Sequence, residues 1–417
     1  MNVLLSGMDI YYTLDGDWPG LTGIPYDSGI AITSNTVVKM VVKKPGLLPS
    51  RTVSGTFLIN APTLLPIVSV SANACDMFAI NPTCIGAYDT AEGWTVDNPQ
   101  IPASVEYFTA DHVQQFNKNI RFEVVGNSSI YFYDQHSLEF TVDEDFGDKD
   151  EFKYNIFEKS KPLDSLNASR LRCNYDWGES LTRFHESVIN EFAMPTYNIA
   201  PAFQHVASYI NGVYWGHYTA REELDTYFLR NNYDVNTDSV VIIRSGAGLE
   251  TWDVAEAGSI QEYNDLVTFF DTHDMTNPDD YNMALNLIDK YNWIDHFAFQ
   301  SYINNVELAY NIRIFKSYDP DVKWKFIIWD ATGSGIGFKS TSLGHTLTFA
   351  YLCEEINMMD DLMSNPEFKL DFINRYADLL NYYFTREKGD LIIDKNVAEI
   401  EAEIPYHRER WEPTNTI

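Results

Sequence analysis

Short runs in which apolar and polar residues alternate dominate the first part of the chain. Residues 10–16 (IYYTLDG) end in an Asp-Gly turn, 29–33 (GIAIT) alternate, 36–44 (TVVKMVVKK) alternate and stop at Pro45-Gly46, and 52–59 (TVSGTFLI) follow. A period of two is the mark of half-buried strands, and Asp-Gly and Pro-Gly punctuate them. The first 60 residues therefore predict a small antiparallel β-sandwich, with a break at Asn60-Ala61-Pro62. A strand at 65–71 (LPIVSVS) opens the next region, and 103–108 (ASVEYF), 120–126 (IRFEVVG) and 136–142 (HSLEFTV) keep the same alternation. After Leu163 the period lengthens: 180–193, 262–273, 281–303 and 366–384 carry apolar residues at i, i+3 and i+4, the spacing of amphipathic helices. The predicted class is α+β, a small β module (1–60) before a larger domain (61–417) with a β-rich front half and an α-rich back half.

Composition sharpens this picture in three places. A chain of 417 residues that is 45% apolar and 14% aromatic can fill a large core, and two domains are expected of that length. Its formal charge of -31, from 60 acidic against 29 basic residues, repels nucleic acid and anionic lipid, so neither is an expected partner. No stretch reaches the roughly 18 to 20 apolar residues of a membrane span, and the first residues lack the basic start and apolar core of a secretory signal. The expectation is a cytoplasmic chain, or an extracellular or surface protein whose signal lies upstream. The four cysteines, Cys75, Cys84, Cys173 and Cys353, form no Cys-x-x-Cys pair, which speaks against structural zinc. Cys75 and Cys84 are close enough to bridge in an oxidising compartment; four scattered thiols fit a reducing one equally well.

Two segments resemble known families. The run I-Y-Y-T-x-D-G-x-x-P (10–19), then Y-x-x-G-I-x-I-T ending at Thr33 and V-K-x-x-V-x-K-x-G-x-x-P-S ending at Ser50, resembles the chitobiase/β-hexosaminidase C-terminal, or fibronectin-III-associated, module. Family members usually carry further strands upstream, which points to a start that is not the natural one. The stretch YINGVYWGHYTARE (209–222), with its Asn211-Gly212 hairpin turn, resembles the N-G-x-Y-W-G-x-Y-x-x-R-E signature of the CotH kinases, atypical kinases that include spore coat protein H. LPIVSVS, ASVEYF, GNSS (126–129), LRCNYDW (171–177), INNVELAYNIRIFK (303–316), KWKFIIWD (323–330), NRYADLLN (374–381) and HRERW (407–411) follow in the family's order. The resemblance covers roughly 350 residues and implies a two-lobed kinase-like fold that binds ATP and Mg²⁺ and transfers a phosphoryl group to a protein Ser or Thr.

Phosphoryl transfer needs a cation at the phosphates, oxygen ligands on a divalent metal, and a carboxylate facing the attacking hydroxyl. Asp330 ends the apolar run FIIWD and is the metal candidate; the family pattern there resembles D-x-D, whereas this chain reads Asp330-Ala331-Thr332. The glycines of GSGIG (333–337) read as a loop rather than a phosphate cradle. The family segment N-x-D-W-x-x-N-N falls on residues 304–311, which puts Val306 where the family has its catalytic Asp and leaves Glu307 as the substitute base. Asn304 and Asn311 match, and could orient a hydroxyl, hold a metal, or serve as cap and turn residues. The family's K-S-L reads His136-Ser137-Leu138, and Ile130 stands where an Arg is usual; a neutral imidazole offers one donor where an ammonium offers three and a charge. Arg221 and Glu222 complete the nucleotide-binding candidates, or are a structural ion pair.

With His136, Glu222, Asn304, Asn311 and Asp330 expected in one cleft, the expected function is a CotH-type kinase with degenerate active-site motifs. The alternative is a pseudokinase acting as a structural or binding module on a cell, spore or particle surface. A glycan-binding role for the first module, through Tyr12 and Trp18, rests on domain analogy. The acidic run 143–151 (DEDFGDKDE) places its glycine one position early for an EF-hand and reads as a solvated turn. Neither His-Glu-x-x-His nor Gly-x-Ser-x-Gly occurs, which leaves metalloprotease and serine-hydrolase readings without support.

Overall fold

The structure is a computed structural model that describes residues 7–59, 61–93, 98–126, 128–174, 182–246, 252–305, 307–308, 311–333, 349–350, 352–353 and 356–411. The chain divides into two compact units, one of residues 1–175, 203–222 and 397–417, the other of residues 176–202 and 223–396.

In the first unit, β1 (Asp9–Thr13), β2 (Ile24–Pro25), β3 (Thr36–Lys43) and β4 (Val53–Phe57) form one antiparallel sheet in the order β2-β1-β3-β4. The module is β-rich, as its alternation predicts, but residues 29–33 form no strand and remain exposed or half-buried. Pro25 has no N–H to extend a ladder, so β2 ends as a two-residue edge. A second set, β5 (Ile67–Ser71), β6 (Ile101–Phe108), β7 (Gln114–Val125), β8 (Ser137–Thr141), β9 (Ala168–Arg172), β10 (Phe203–Ile210) and β11 (Val213–Glu222), closes into a barrel in the order β10-β11-β9-β8-β7-β6-β5. The Asn211-Gly212 hairpin joins β10 to β11 as expected, both residues at positive φ. Closure comes from β10 running parallel to β5, Ala207 opposite Ile67.

Alternation divides the barrel strands into two faces. Phe122, Val124, Leu138, Phe140, Leu171, Tyr218 and Ala220 are fully buried on one face. The opposite face is polar, with Ser69, Glu106 and Asn117 in register across β5, β6 and β7. The N-terminal sheet lies against this polar face. Thr56 Oγ1 donates to Glu106 and lies 2.9 Å from Ser69 Oγ, Asn117 Nδ2 donates to the Ser54 carbonyl at 2.6 Å, and the wholly buried Lys39 donates to the Ser71 carbonyl at 3.0 Å. Burial pushes the Lys39 pKa down to about 7, against the opposing pull of Asp17, Asp76, Asp15 and Glu106.

The second unit holds a four-stranded sheet of β12 (Val240–Gly246), β13 (Trp252–Ala257), β14 (Ile312–Tyr318) and β15 (Asp321–Phe326) in the order β13-β12-β14-β15. The helical spacing of the back half gave no sign of this sheet. One face carries Val241, Ile243, Ile312, Ile314 and Phe326 into the larger core; the other carries Val240, Ile242 and Phe315 into a smaller one. Strands buried on both faces show no alternation and are hard to tell from buried helix. Helices α1 (His185–Ala193), α2 (Thr226–Tyr233), α3 (Ile260–Thr272), α4 (Pro278–Leu287), α5 (Lys290–Tyr302), α6 (Asn357–Ser364) and α7 (Pro366–Tyr382) lie in the same unit, with most of a further helix, Arg386–Ile400. The apolar run 281–303 is two helices rather than one: Ile288 turns extended, and the Asp289 carboxylate accepts the Asn292 N–H at 3.0 Å, starting α5 afresh. Arg375 of α7 forks onto the buried Asp295 of α5, both N–H···O distances 2.7 Å.

Candidate functional site

The candidate residues fall in both units. Asn304, Glu307, Asn311 and Asp330 belong to the second, and His136, Arg221 and Glu222 to the first.

In the second unit the chain leaves β15 through buried Ile327 and Ile328, whose N–H groups donate to the carbonyls of Arg313 (2.9 Å) and Ile199 (2.7 Å). These bonds hold the segment rigidly up to Trp329, and Asp330 then turns out to solvent in the left-handed region, φ 46°. Such a backbone is costly for a non-glycine residue and clusters at functional sites. Asn311 Nδ2 donates to the Asp330 carbonyl at 3.3 Å, so two residues chosen for a shared metal role are neighbours. Asn304 follows the end of α5, also at positive φ (57°), its N–H donating to the Ser301 carbonyl. Behind it, Asn305 Nδ2 donates to Gln300 Oε1 at 2.9 Å and Asn305 Oδ1 accepts the Glu307 N–H at 3.1 Å, with Asn305 and Gln300 fully buried. Burial first, and the nearby Asp330 charge second, push the Glu307 carboxyl above the usual glutamate range. A raised carboxyl is suited to accepting a proton near neutrality.

Asp330, Glu307 and Asn311 supply two carboxylates and an amide. Among the described residues no group of three or more His, Cys, Asp or Glu is placed to hold a metal. This sparse oxygen set fits Mg²⁺, which binds one or two carboxylates and keeps several waters, better than a metal that needs a full protein cage. Thr332, at the second family carboxylate position, is buried. Val306 and most of GSGIG lie outside the described residues.

In the first unit His136 precedes β8 with its ring stacked on Tyr88, centroids 4.7 Å apart. Its backbone is pinned on both sides: the N–H donates to Tyr88 Oη at 3.0 Å, and its carbonyl accepts from Tyr218 Oη at 2.9 Å. Burial lowers the imidazole pKa, so the ring is neutral and serves as a wall of an aromatic cluster with Phe78 and Trp215. Arg221 and Glu222 are both buried, and as successive residues of β11 they point to opposite faces. Glu222 is in register with Ser169 and, one strand further, Phe140. His136 lies four residues before Phe140, about 13 Å along the strand, so the barrel does not bring the two together. Glu222 is instead paired with Lys161, Nζ to Oε2 3.4 Å, and burial lowers the Lys161 pKa while Glu222 opposes the shift. The loop carrying Lys161 is fixed by Ser160, whose Oγ donates to the Phe203 carbonyl at 2.8 Å and accepts the Phe203 N–H at 3.0 Å. No sequence signal singles out Lys161, because its partner lies 61 residues away. The structure also contains a Cys75–Cys84 disulfide.

Comparison with known proteins gives two matches. The family model described as CotH kinase protein matches residues 122–416, well over half of the chain. The model described as Fn3 associated matches residues 4–57. No curated protein matches the chain.

Proposed function

The chain belongs to the CotH kinase protein family, and from that membership we propose that it is a kinase-like protein directed at a protein Ser or Thr, using ATP and Mg²⁺ through a reduced set of groups. The observation that carries this reading is the juxtaposition of Asp330, Asn311 and Glu307, a metal candidate and a proton acceptor on one side of the second unit. Asp330 and Asn311 would hold Mg²⁺, and bound Mg²⁺ would neutralise phosphate charge. Glu307 takes the proton of the acceptor hydroxyl, and Asn304 orients that hydroxyl. In the first unit Arg221 and Glu222 stay the nucleotide-binding candidates, with Lys161 as the cation paired with Glu222, while His136 lies apart from them in its aromatic stack.

The second reading, a pseudokinase that keeps the fold as a surface binding or structural module, is favoured by one observation: the neutral His136 is committed to an aromatic stack. We place the protein in an oxidising setting, extracellular or on a cell or particle surface, because a disulfide persists there and not in a reducing cytosol. We also propose that residues 1–60 form an accessory module and 61–417 the kinase-like domain. No helix among the described residues is long and apolar enough to cross a membrane.

The test is a thermal-shift titration with ATP and Mg²⁺, followed by labelled phosphoryl transfer to a generic protein acceptor. The unmodified chain should show a Mg²⁺-dependent rise in Tm that Asp330→Asn abolishes, and slow labelling that Glu307→Gln removes. Mg²⁺-dependent binding without labelling selects the pseudokinase. Labelling that survives Glu307→Gln refutes its role as base.

A further inference from the structure

The face of the second unit's sheet that carries the smaller apolar core does not stay apolar to its end. Along β12 the alternation runs Val240, Ile242, Arg244, and along β14 it runs Phe315, Arg313. Arg244 and Arg313 are direct cross-strand partners. Like charges placed opposite each other on a sheet are destabilising, and here both guanidinium groups are partly desolvated, with side-chain exposures of 24% and 6%. Among the described residues, Glu256 and Trp329 offset the repulsion. Glu256 of β13 accepts from Arg313 and lies 3.6 Å from Arg244 Nε. The Trp329 ring sits against both guanidinium groups, 5.5 Å from Arg313 Cζ and 5.8 Å from Arg244 Cζ. Two guanidinium forks side by side make a local cationic centre in a chain that carries -31 overall.

The position of this pair gives it a use. Trp329 immediately precedes Asp330, and Asn311, which donates to the Asp330 carbonyl, lies two residues before Arg313, just ahead of β14 and no more than about 7 Å along the chain. An anion seated on the two guanidinium forks would thus lie next to a cation held by Asp330, the arrangement that a metal-bridged polyphosphate requires. We propose that Arg244, Arg313 and Trp329 form a phosphate-binding site beside Asp330 that takes the polyphosphate tail of a nucleoside triphosphate. This rests on the kinase-like reading above and supplies, within the second unit, the cationic contact that His136 does not make. Glu256 competes with the ligand for the same N–H groups.

The test uses the full chain and calorimetric titration with two probes, ATP and inorganic tripolyphosphate, each with Mg²⁺. Arg244→Gln and Arg313→Gln are each made together with Glu256→Gln, so that no carboxylate is left without its partners, and Glu256→Gln is made alone. Both double variants should weaken both probes by about tenfold or more, the effect of losing a charged hydrogen bond. Glu256→Gln alone should tighten both, which a purely structural role would not do. Should a double variant fail to fold, Arg244→Lys keeps the charge without the fork and should still weaken binding. Unchanged affinity in variants that melt like the parent overturns the site and leaves the kinase-like reading standing. Loss in the arginine variants with no effect of Asp330→Asn supports the site and overturns the metal assignment. Binding of tripolyphosphate but not ATP overturns the nucleotide as ligand, and binding of neither overturns both readings.

Discussion

Glu307 shows how a residue's surroundings turn a weak sequence argument into a measurable one. In the sequence it is only the acid beside Val306. In the structure its N–H is held by Asn305, and its carboxyl is pushed upward by burial and by Asp330. A carboxyl whose folded pKa is raised favours its protonated form, so its contribution to stability is present below the unfolded pKa and is lost as pH rises through the folded one. Glu307→Gln removes that cost. The variant should therefore melt above the parent at pH 7 to 8, and the gain should vanish as the pH falls below the ordinary glutamate range; a pH series of Tm values decides it. A gain that is equal at all pH values would mean that Glu307 is not the strained carboxyl. The nearness of Asn311 to Asp330 was legible from motif order alone. Lys161, Arg244, Arg313 and Glu256 were not, since each gains its meaning from a partner on another strand or loop.

Among the elements, the turns were the most legible feature and the sheets buried on both faces the least. Asn211-Gly212 announced its hairpin because only a few residues tolerate positive φ at both central positions. The strands β12 and β14 gave no period, and the break between α4 and α5 hid inside a continuous apolar run. The packing of the N-terminal sheet on the barrel was also hidden, since it is made by polar contacts that alternation assigns to solvent. Gly16 tests that packing. It sits at φ +87°, and a Cβ there would lie 2.6 Å from Asn211 Oδ1, the atom that accepts the Ala72 N–H at 2.9 Å. Gly46 has nearly the same φ (+81°), with no atom within 4 Å of its Cβ position. Gly46→Ala should cost only the backbone strain, about 1–2 kcal/mol. Gly16→Ala should cost about 1–3 kcal/mol more, because a buried N–H loses its acceptor. Equal losses in urea denaturation would show that the hairpin contact does not contribute to stability.

At the scale of the whole molecule, net charge acts over a longer distance than any single contact. A formal -31 makes the compact state repel itself and makes any polyphosphate approach against an adverse field, while the proposed Arg244–Arg313 contact acts only at short range. Salt separates the two, because the Debye length falls from about 20–30 Å near 0.02 M to about 4 Å near 0.5 M. Raising NaCl over that range should raise the Tm of the free chain, since self-repulsion is relieved. It should also speed the association of tripolyphosphate measured by stopped flow, since the long-range barrier is screened before the contact forms. The sign is opposite to that of a basic polyanion-binding protein, in which salt weakens binding through counterion competition. Association that slows with salt would mean that the local field at the two arginines, and not the net charge, governs the encounter.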